Sequence, residues 1–169
     1  VRTMAMVKAA AYGSGSAEVA KLLEFHKVDY LGVAYADEGV ELREAGVHLP
    51  ILVLNPEAAS FDLLHRYCLE PEVYSLRLLS EIITFMGTEK SLPIHLKLDT
   101  GMHRLGFETA DLPALCQQLR RYPNLKVQTV FSHLAASDAP THDAFTHQQA
   151  AAFSAMYSVI RDALGYAPL

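Results

Sequence analysis

The sequence predicts an α/β fold of about six βα units, arranged as a partial (β/α)8 TIM-type barrel or as a doubly wound sheet. Short apolar runs alternate with amphipathic stretches along the whole 169-residue chain, which is the pattern of parallel βαβ units. Most of these runs lack strict polar alternation, as expected for strands that are covered on both faces. No linker rich in Pro, Gly or Ser divides the chain, so residues 1–169 are expected to form one unit.

Each predicted strand is followed by a predicted helix. The strands are expected at residues 3–9, 30–34, 51–54, 72–74, 94–99 and 127–134, of which 72–74 is the weakest. The helices, identified by their apolar period, are expected at residues 16–26, 37–45, 61–67, 75–86, 112–121 and 144–164. The last helix ends where a further strand would normally follow, and the first strand begins almost at residue 1. We therefore favour a barrel that is cut short.

Composition and charge exclude several classes of function. The net charge of −5, with 51% hydrophobic and 20% charged residues, gives no general attraction to nucleic acid or anionic lipid. No segment reaches the roughly 20 apolar residues of a membrane span. No secretory signal is recognisable, which makes the cytoplasm the expected compartment. Cys68 and Cys116 lack the spacing of a zinc site, so we predict buried free thiols and no metal site.

Lys8 is the first candidate for chemistry, because it closes a predicted apolar strand and ligands of parallel α/β folds bind at that end of the strands. A buried lysine must be paired or lose its proton, and a neutral lysine forms Schiff bases with carbonyl compounds. The plainer interpretation is a lysine whose ammonium reaches solvent from the strand end. Residues 11–16 add two glycines and two serine hydroxyls before a helix, which fits a phosphate-binding turn or an ordinary βα turn equally well.

A second group of polar residues follows the fifth predicted strand. Lys97 and Asp99 lie at the strand end, and His103 and Arg104 follow in a loop bounded by glycines. This pattern fits a structural cluster of salt bridges as well as it fits a functional site. His133 closes the sixth predicted strand and, taken alone, fits a hydrogen-bonded core histidine.

Two long motifs resemble those of alanine racemases. Residues 7–15, VKAAAYGSG, resemble the family's cofactor-lysine motif V-K-A-x-A-Y-G-x-G, and residues 97–106, KLDTGMHRLG, resemble its K-x-D-T-G-M-x-R-x-G motif. Residues 33–43 and 50–54 are similar to the family's second and third units, and residues 132–135 to its sixth-strand motif. The resemblance covers nearly the whole chain and implies the amino-terminal part of a barrel that binds pyridoxal 5'-phosphate (PLP).

The resemblance also implies a role for each candidate residue. Lys8 would hold PLP as a Schiff base and act as one of two catalytic bases, and Tyr12 would bind the cofactor phosphate. Arg104 would lie near the phenolic oxygen of PLP and the substrate carboxylate. Lys97, which is carbamylated in many members, would hold the guanidinium of Arg104. His133 would lie against the pyridine ring.

The chain departs from the family pattern at two positions and lacks several of its parts. Ala10 and Ser14 stand where members often have Asn and His, so the contacts of those side chains would be missing. The last barrel strands and the carboxy-terminal β domain, which supplies the second base across a homodimer interface, would lie outside residues 1–169. The resemblance implies that the full-length protein interconverts L-alanine and D-alanine for peptidoglycan, and that this part alone is inactive. A racemase domain taken from a fusion with a cell-wall peptide ligase is a further hypothesis.

Three alternatives stay open on the sequence alone. A PLP-homeostasis barrel keeps the cofactor lysine but has neither the β domain nor racemase activity. PLP barrels that decarboxylate basic amino acids differ in their fifth-strand and glycine-loop patterns. The third alternative is a non-catalytic scaffold or dimerisation module, and the joint presence of Lys8, Tyr12, Arg104 and His133 argues against it. The two long motifs favour the racemase.

Overall fold

The computed structural model describes residues 2–87 and 90–169, and in these residues six strands alternate with helices. The internal contacts divide the chain into two compact units, Val1–Glu72 and Val73–Leu169. Each unit positions some of the candidate residues, and each is described by itself.

The first unit is built on parallel strands that pair in sequence order. Its strands are β1 (Met4–Met6), β2 (Tyr30–Val33), β3 (Ile51–Val53) and all but the last residue of β4 (Glu70–Val73). Its helices are α1 (Lys8–Gly13), α2 (Ser16–Phe25), α3 (Ala36–Glu44) and α4 (Phe61–Arg66). β3 is buried along its whole length, which explains why its sequence shows no polar alternation. The core consists of aliphatic side chains that are almost fully buried: Leu31, Val33, Leu42, Val47, Ile51, Leu52, Leu64 and Leu69.

Arg43 holds the connections that follow α3 and α4. Its Nη1 donates to the carbonyls of Val47 and Leu49 at 2.8 and 2.7 Å. Its Nε donates to Tyr67 O at 3.0 Å, and its Nη2 to Cys68 O at 3.2 Å. The fixed fork of donors in a guanidinium therefore satisfies carbonyls from two separate segments.

The second unit contains the parallel pair β5 (Leu92–Lys97) and β6 (Leu125–Phe131), whose register shifts between Ile94 and His95. Its helices are α5 (Leu76–Met86), α6 (Leu112–Arg121) and α7 (Asp143–Leu164). Ser75 caps α5 by accepting a hydrogen bond from Leu78 N at 3.2 Å. Leu169 follows α7 and lies beside β6: its N donates to Gln128 O at 2.9 Å, and its O accepts from Val130 N at 2.7 Å. These two bonds form the pattern of a parallel strand pair.

Each predicted strand and helix has a counterpart, but several strands end earlier than expected. β1 ends at Met6 and β6 at Phe131, so Lys8 and His133 do not close their strands but follow them by two residues. One of the two thiols also differs from the prediction, because Cys116 is buried whereas Cys68 is exposed. Among the described residues, no helix has both the length and the apolar character of a membrane span.

The contacts of Arg43 predict that a lysine at this position makes the protein less stable. An ammonium on a flexible stem lacks the planar fork, so Arg43→Lys leaves some of the four carbonyls without a partner and lowers the free energy of unfolding by about 1–3 kcal/mol. Urea denaturation measures this change. The matched control is Arg66→Lys on the exposed end of α4, which we expect to be near neutral. Equal effects of the two substitutions would contradict the assigned role.

Candidate functional site

Lys8 begins a left-handed helical turn, the segment Lys8–Gly13, which we call the lysine turn. Ala9 to Tyr12 all have φ between 50 and 56° and ψ between 35 and 54°. Ala11 N donates to Val7 O at 3.0 Å, and Gly15 N donates to Ala10 O at 2.9 Å. A left-handed conformation costs roughly 1–2 kcal/mol for each L-residue other than glycine. Backbone strain of this kind is concentrated at functional sites, where the surrounding structure must impose it.

Glu38, on the first turn of α3, imposes part of this conformation. Its Oε1 accepts a hydrogen bond from Ala9 N at 2.7 Å, next to the half-buried Lys8. Its Oε2 accepts from Ala34 N at 2.6 Å and from Tyr35 N at 3.2 Å. One carboxylate therefore ties the residue after Lys8 to the segment that enters α3. Glu38 lies within residues 33–43, which resemble the family's second unit, but nothing in the sequence alone pointed to this role.

Tyr12 and the glycines complete the lysine turn. The Tyr12 side chain is 68% exposed, so its hydroxyl is available to an external anion. At the amino terminus of α2, where a phosphate-binding turn was one of two interpretations, a carboxylate lies close to the backbone. A β-carbon built on Gly15 would lie 2.6 Å from Glu18 Oε2, which places the Glu18 carboxylate beside that helix terminus. A carboxylate there satisfies the helix dipole in the same way as a phosphate would.

The second unit holds Lys97, Arg104 and His133. Lys97 is the last residue of β5, is 7% exposed and pairs with Phe131 on β6, with its Nζ 5.7 Å from the centre of the Phe131 ring. Arg104 lies in the loop 99–106 and His133 just after β6, and both side chains are exposed. The structure therefore brings the carboxyl ends of β5 and β6 side by side. Lys8 and Tyr12 belong to the first unit.

The loop 99–106 is closed at its base and folded around Asp99. Phe107 N donates to Lys97 O and Asp99 N donates to Phe107 O, both at 2.9 Å. Asp99 Oδ1 accepts from Gly101 N at 2.9 Å and from His103 N at 3.1 Å. Burial alone would raise the pKa of the Asp99 carboxyl, but these backbone donors and the nearby imidazole outweigh burial, so the pKa lies below its ordinary value. Asp99, which was a candidate for chemistry, thus shapes the loop that carries Arg104.

A buried amide that the sequence analysis missed joins the loops after β5 and β6. Gln149, on α7, is 1% exposed and hydrogen-bonds to Thr100 Oγ1, His133 O and Ala135 N. The signal was present in the sequence, because Gln149 lies seven and eleven residues before Met156 and Ile160 and shares their buried face of α7. A polar residue on an apolar helix face requires an explanation.

Asp99, His103 and Glu108 bring possible metal-ligand atoms within 4.8 Å of one another. The Asp99 carboxylate is already engaged by backbone donors, and His103 and Glu108 are exposed. Exposed acidic groups of this kind carry no evidence of a bound ion, so the cluster is assigned to the folding of the loop.

Strands alternating with helices, with polar side chains after the carboxyl ends of β1, β5 and β6, define an α/β domain of the barrel class. A sequence model of the alanine racemase N-terminal domain matches residues 1–169, so the chain belongs to that family.

Curated relatives agree with the family match. The alanine racemase of Synechocystis sp. is 40% identical over 156 residues, covering 86% of this chain and 40% of that protein. The alanine racemase of Thermodesulfovibrio yellowstonii is 34% identical over 170 residues, covering 99% of this chain and 45% of that protein. The chain spans less than half the length of these relatives.

Solved structures show the same fold. The alanine racemase of Clostridium difficile 630 superposes with a TM-score of 0.90 at 32% identity, covering 100% of this chain and 47% of that chain. The enzyme of the D-cycloserine-producing Streptomyces lavendulae also gives 0.90, at 27% identity and 99% coverage of this chain and 44% of that chain. The predicted family and the partial (β/α)8 barrel are confirmed.

Gly106 is the residue that lets the loop 99–106 close. Its φ is +138°, and a β-carbon there would lie 2.4 Å from Asp99 N and 2.6 Å from Leu98 C. Because backbone atoms cannot move away as a flexible side chain would, we expect Gly106→Ala to lower the free energy of unfolding by about 2–4 kcal/mol. Gly165→Ala is the control, since its φ is +74° but nothing lies within 4 Å; its cost should be about 1 kcal/mol. Equal costs in urea denaturation would refute the close-approach argument.

The lowered pKa of Asp99 predicts a pH-dependent contribution to stability. The charged carboxylate contributes fully above the unfolded-state value of about 3.9, and this contribution is lost as pH falls through the lower folded-state pKa. Asp99→Asn should therefore cost about 1–2 kcal/mol at neutral pH, and the gap from the parent protein should narrow as pH falls below about 4. Unfolding free energies measured across this window test the sign. Asp138→Asn makes the same charge change at an exposed position, and a constant gap for Asp99→Asn would contradict the prediction.

Proposed function

We propose that the full-length protein containing this chain interconverts L-alanine and D-alanine with PLP as cofactor. The observation that carries the proposal is a half-buried lysine at the start of a strained left-handed turn, in a chain of the alanine racemase family. Backbone strain of this kind is concentrated at functional sites, and here it directly follows Lys8 in the chain.

The side chains present fit the groups of PLP. Lys8 offers a primary amine for its aldehyde, Tyr12 an exposed phenol for its phosphate, and Arg104 a guanidinium for its phenolic oxygen or the substrate carboxylate. His133 offers a flat imidazole for packing against the ring. When bound, PLP withdraws electrons from the α-carbon of an amino acid and makes its hydrogen acidic. These assignments follow the family motifs residue by residue.

Lys8 supplies the proton chemistry of this chain. We infer that its Nζ takes the proton from the substrate α-carbon on one face and returns it there in the reverse direction. Racemisation needs a second acid–base group on the opposite face, and we assign that group to the carboxy-terminal β domain of a homodimer partner. Lys97 is buried at the end of β5, and the resemblance to the family motif assigns it to the support of Arg104. Carbamylation would turn it into an anion suited to holding Arg104.

The proposed setting is the cytoplasm, where the reaction would supply D-alanine for peptidoglycan. Neither nucleic acid nor membrane is a proposed partner, since the chain has a net charge of −5. Because residues 1–169 correspond to less than half of the relatives, we propose that this part alone does not racemise alanine.

Covalent trapping of PLP tests the proposal. The full-length protein is incubated with PLP, reduced with borohydride and mapped by mass spectrometry, and we expect the phosphopyridoxyl group on Lys8. Lys8→Arg should abolish the adduct and slow D/L-alanine interconversion by about a thousandfold, because arginine neither bonds to the aldehyde nor accepts the α-proton. Lys21→Arg, on the exposed face of α2, is the control and should keep both. An adduct on other lysines with Lys8 unmodified would overturn the assignment.

A further inference from the structure

Gln149 lies at the centre of a buried polar network in the second unit. Its Nε2 donates to His133 O at 3.1 Å and to Thr100 Oγ1 at 3.3 Å, and its Oε1 accepts from Ala135 N at 3.0 Å. Both amide hydrogens and the amide oxygen are therefore used. A buried polar group that is fully satisfied in this way stabilises one particular arrangement of its partners.

The donor and acceptor of each hydrogen bond between Gln149, Thr100 and Ser132 can be assigned. Ser132 Oγ donates to Leu98 O at 2.8 Å. The hydrogen in the 2.8 Å contact between Thr100 and Ser132 must then come from Thr100, so Thr100 Oγ1 is left to accept from Gln149. A flipped amide would direct two hydrogens at the Ala135 N–H and an oxygen at the His133 carbonyl, which is unfavourable at both points. The donors therefore run from α7 through Thr100 and Ser132 to the end of β5.

The partners of Gln149 belong to the two loops that carry candidate cofactor residues. His133 and Ala135 flank Leu134 in the segment after β6, and Thr100 opens the loop that contains Arg104. The side chains of Arg104 and His133 are exposed, so their positions depend on the backbone that bears them. Gln149 holds the backbone of His133 and Ala135 directly and reaches the loop of Arg104 through the Thr100 hydroxyl.

We propose that Gln149 is a positioning residue, which sets the loop of Arg104 and the segment of His133 in one mutual arrangement through Thr100 and Ser132. The loop-fixing role stands on geometry alone, and the consequence for cofactor and substrate rests on the function proposed above.

Hydrogen exchange of the cofactor-free full-length protein tests the loop-fixing role without any catalysis. Gln149→Leu removes donors and acceptor, so the Ala135 amide should exchange about tenfold faster or more, as expected when a net hydrogen bond of about 1.4 kcal/mol is lost. Gln149→Glu keeps an acceptor for Ala135 N but loses the donors to Thr100 and His133, so the Ala135 amide should stay closer to parental protection than in Gln149→Leu while the region 99–107 exchanges faster. Gln148→Glu makes the same change at the exposed neighbouring position and should alter neither region. Unchanged exchange in both Gln149 variants would overturn the proposal.

Assays of the holoenzyme measure how the network affects cofactor binding and catalysis. We expect Gln149→Leu and the milder Thr100→Val each to weaken PLP binding and to lower kcat for alanine by about tenfold. The reason is that Arg104 and His133 are then no longer held in one position relative to each other. Should Gln149→Leu fail to fold, Thr100→Val tests the same network, because it removes the hydroxyl that joins Gln149 to Ser132. Faster exchange with parental PLP affinity and kcat would overturn the positioning role and leave a purely structural one. A parent protein that neither traps PLP on Lys8 nor racemises alanine would refute the proposed function, while the exchange data would still decide the role of Gln149.

Discussion

The left-handed turn after Lys8 is the constraint on which the first unit of the structure depends. Four successive alanine and tyrosine residues adopt a backbone that L-residues avoid, and no glycine among them relieves the steric conflict. The cost is offset locally: Glu38 accepts from Ala9 N, and Val7 N donates to Gly32 O at 2.9 Å. The strand before Lys8 and the helix of the following βα unit therefore both act on the same few residues, which fixes the direction in which Lys8 leaves the backbone.

The second unit holds the backbone beyond its strand ends in the same way, with an amide in place of a carboxylate. A side chain from a helix reaches the backbone beyond a strand end in each case, Glu38 from α3 and Gln149 from α7. The residues proposed to meet the cofactor are exposed or half-buried; of the two residues that hold their backbone, Gln149 is almost fully buried and Glu38 is half-buried. Precise placement of an exposed side chain requires a rigid backbone beneath it, and buried hydrogen bonds supply that rigidity.

The sequence predicted the elements well because apolar periodicity reports burial directly. It was less successful where tertiary hydrogen bonds decide the conformation. The stretch from Val7 to Tyr12 consists of good strand or helix formers, so nothing local showed that β1 ends at Met6 and a left-handed turn follows. The exposure of Cys68 likewise depends on how α4 ends. The family motifs point to Lys8, Tyr12, Lys97, Arg104 and His133 as candidates, whereas Gln149 lies outside those motifs and shows in the sequence only as a polar residue on the apolar face of α7.

The charge of each anchoring side chain follows from its burial. Glu38 is only partly buried and accepts from three N–H donors, so a carboxylate, which only accepts hydrogen bonds, suits its position. Gln149 is almost fully buried and must both donate to a carbonyl and accept from an amide, which a carboxylate cannot do without taking up a proton. A neutral amide meets this requirement and adds no anion near the loop of Arg104. The loop of Arg104 therefore contains the Asp99 carboxylate, which the backbone amides of Gly101 and His103 hold, and gains no second anion from α7.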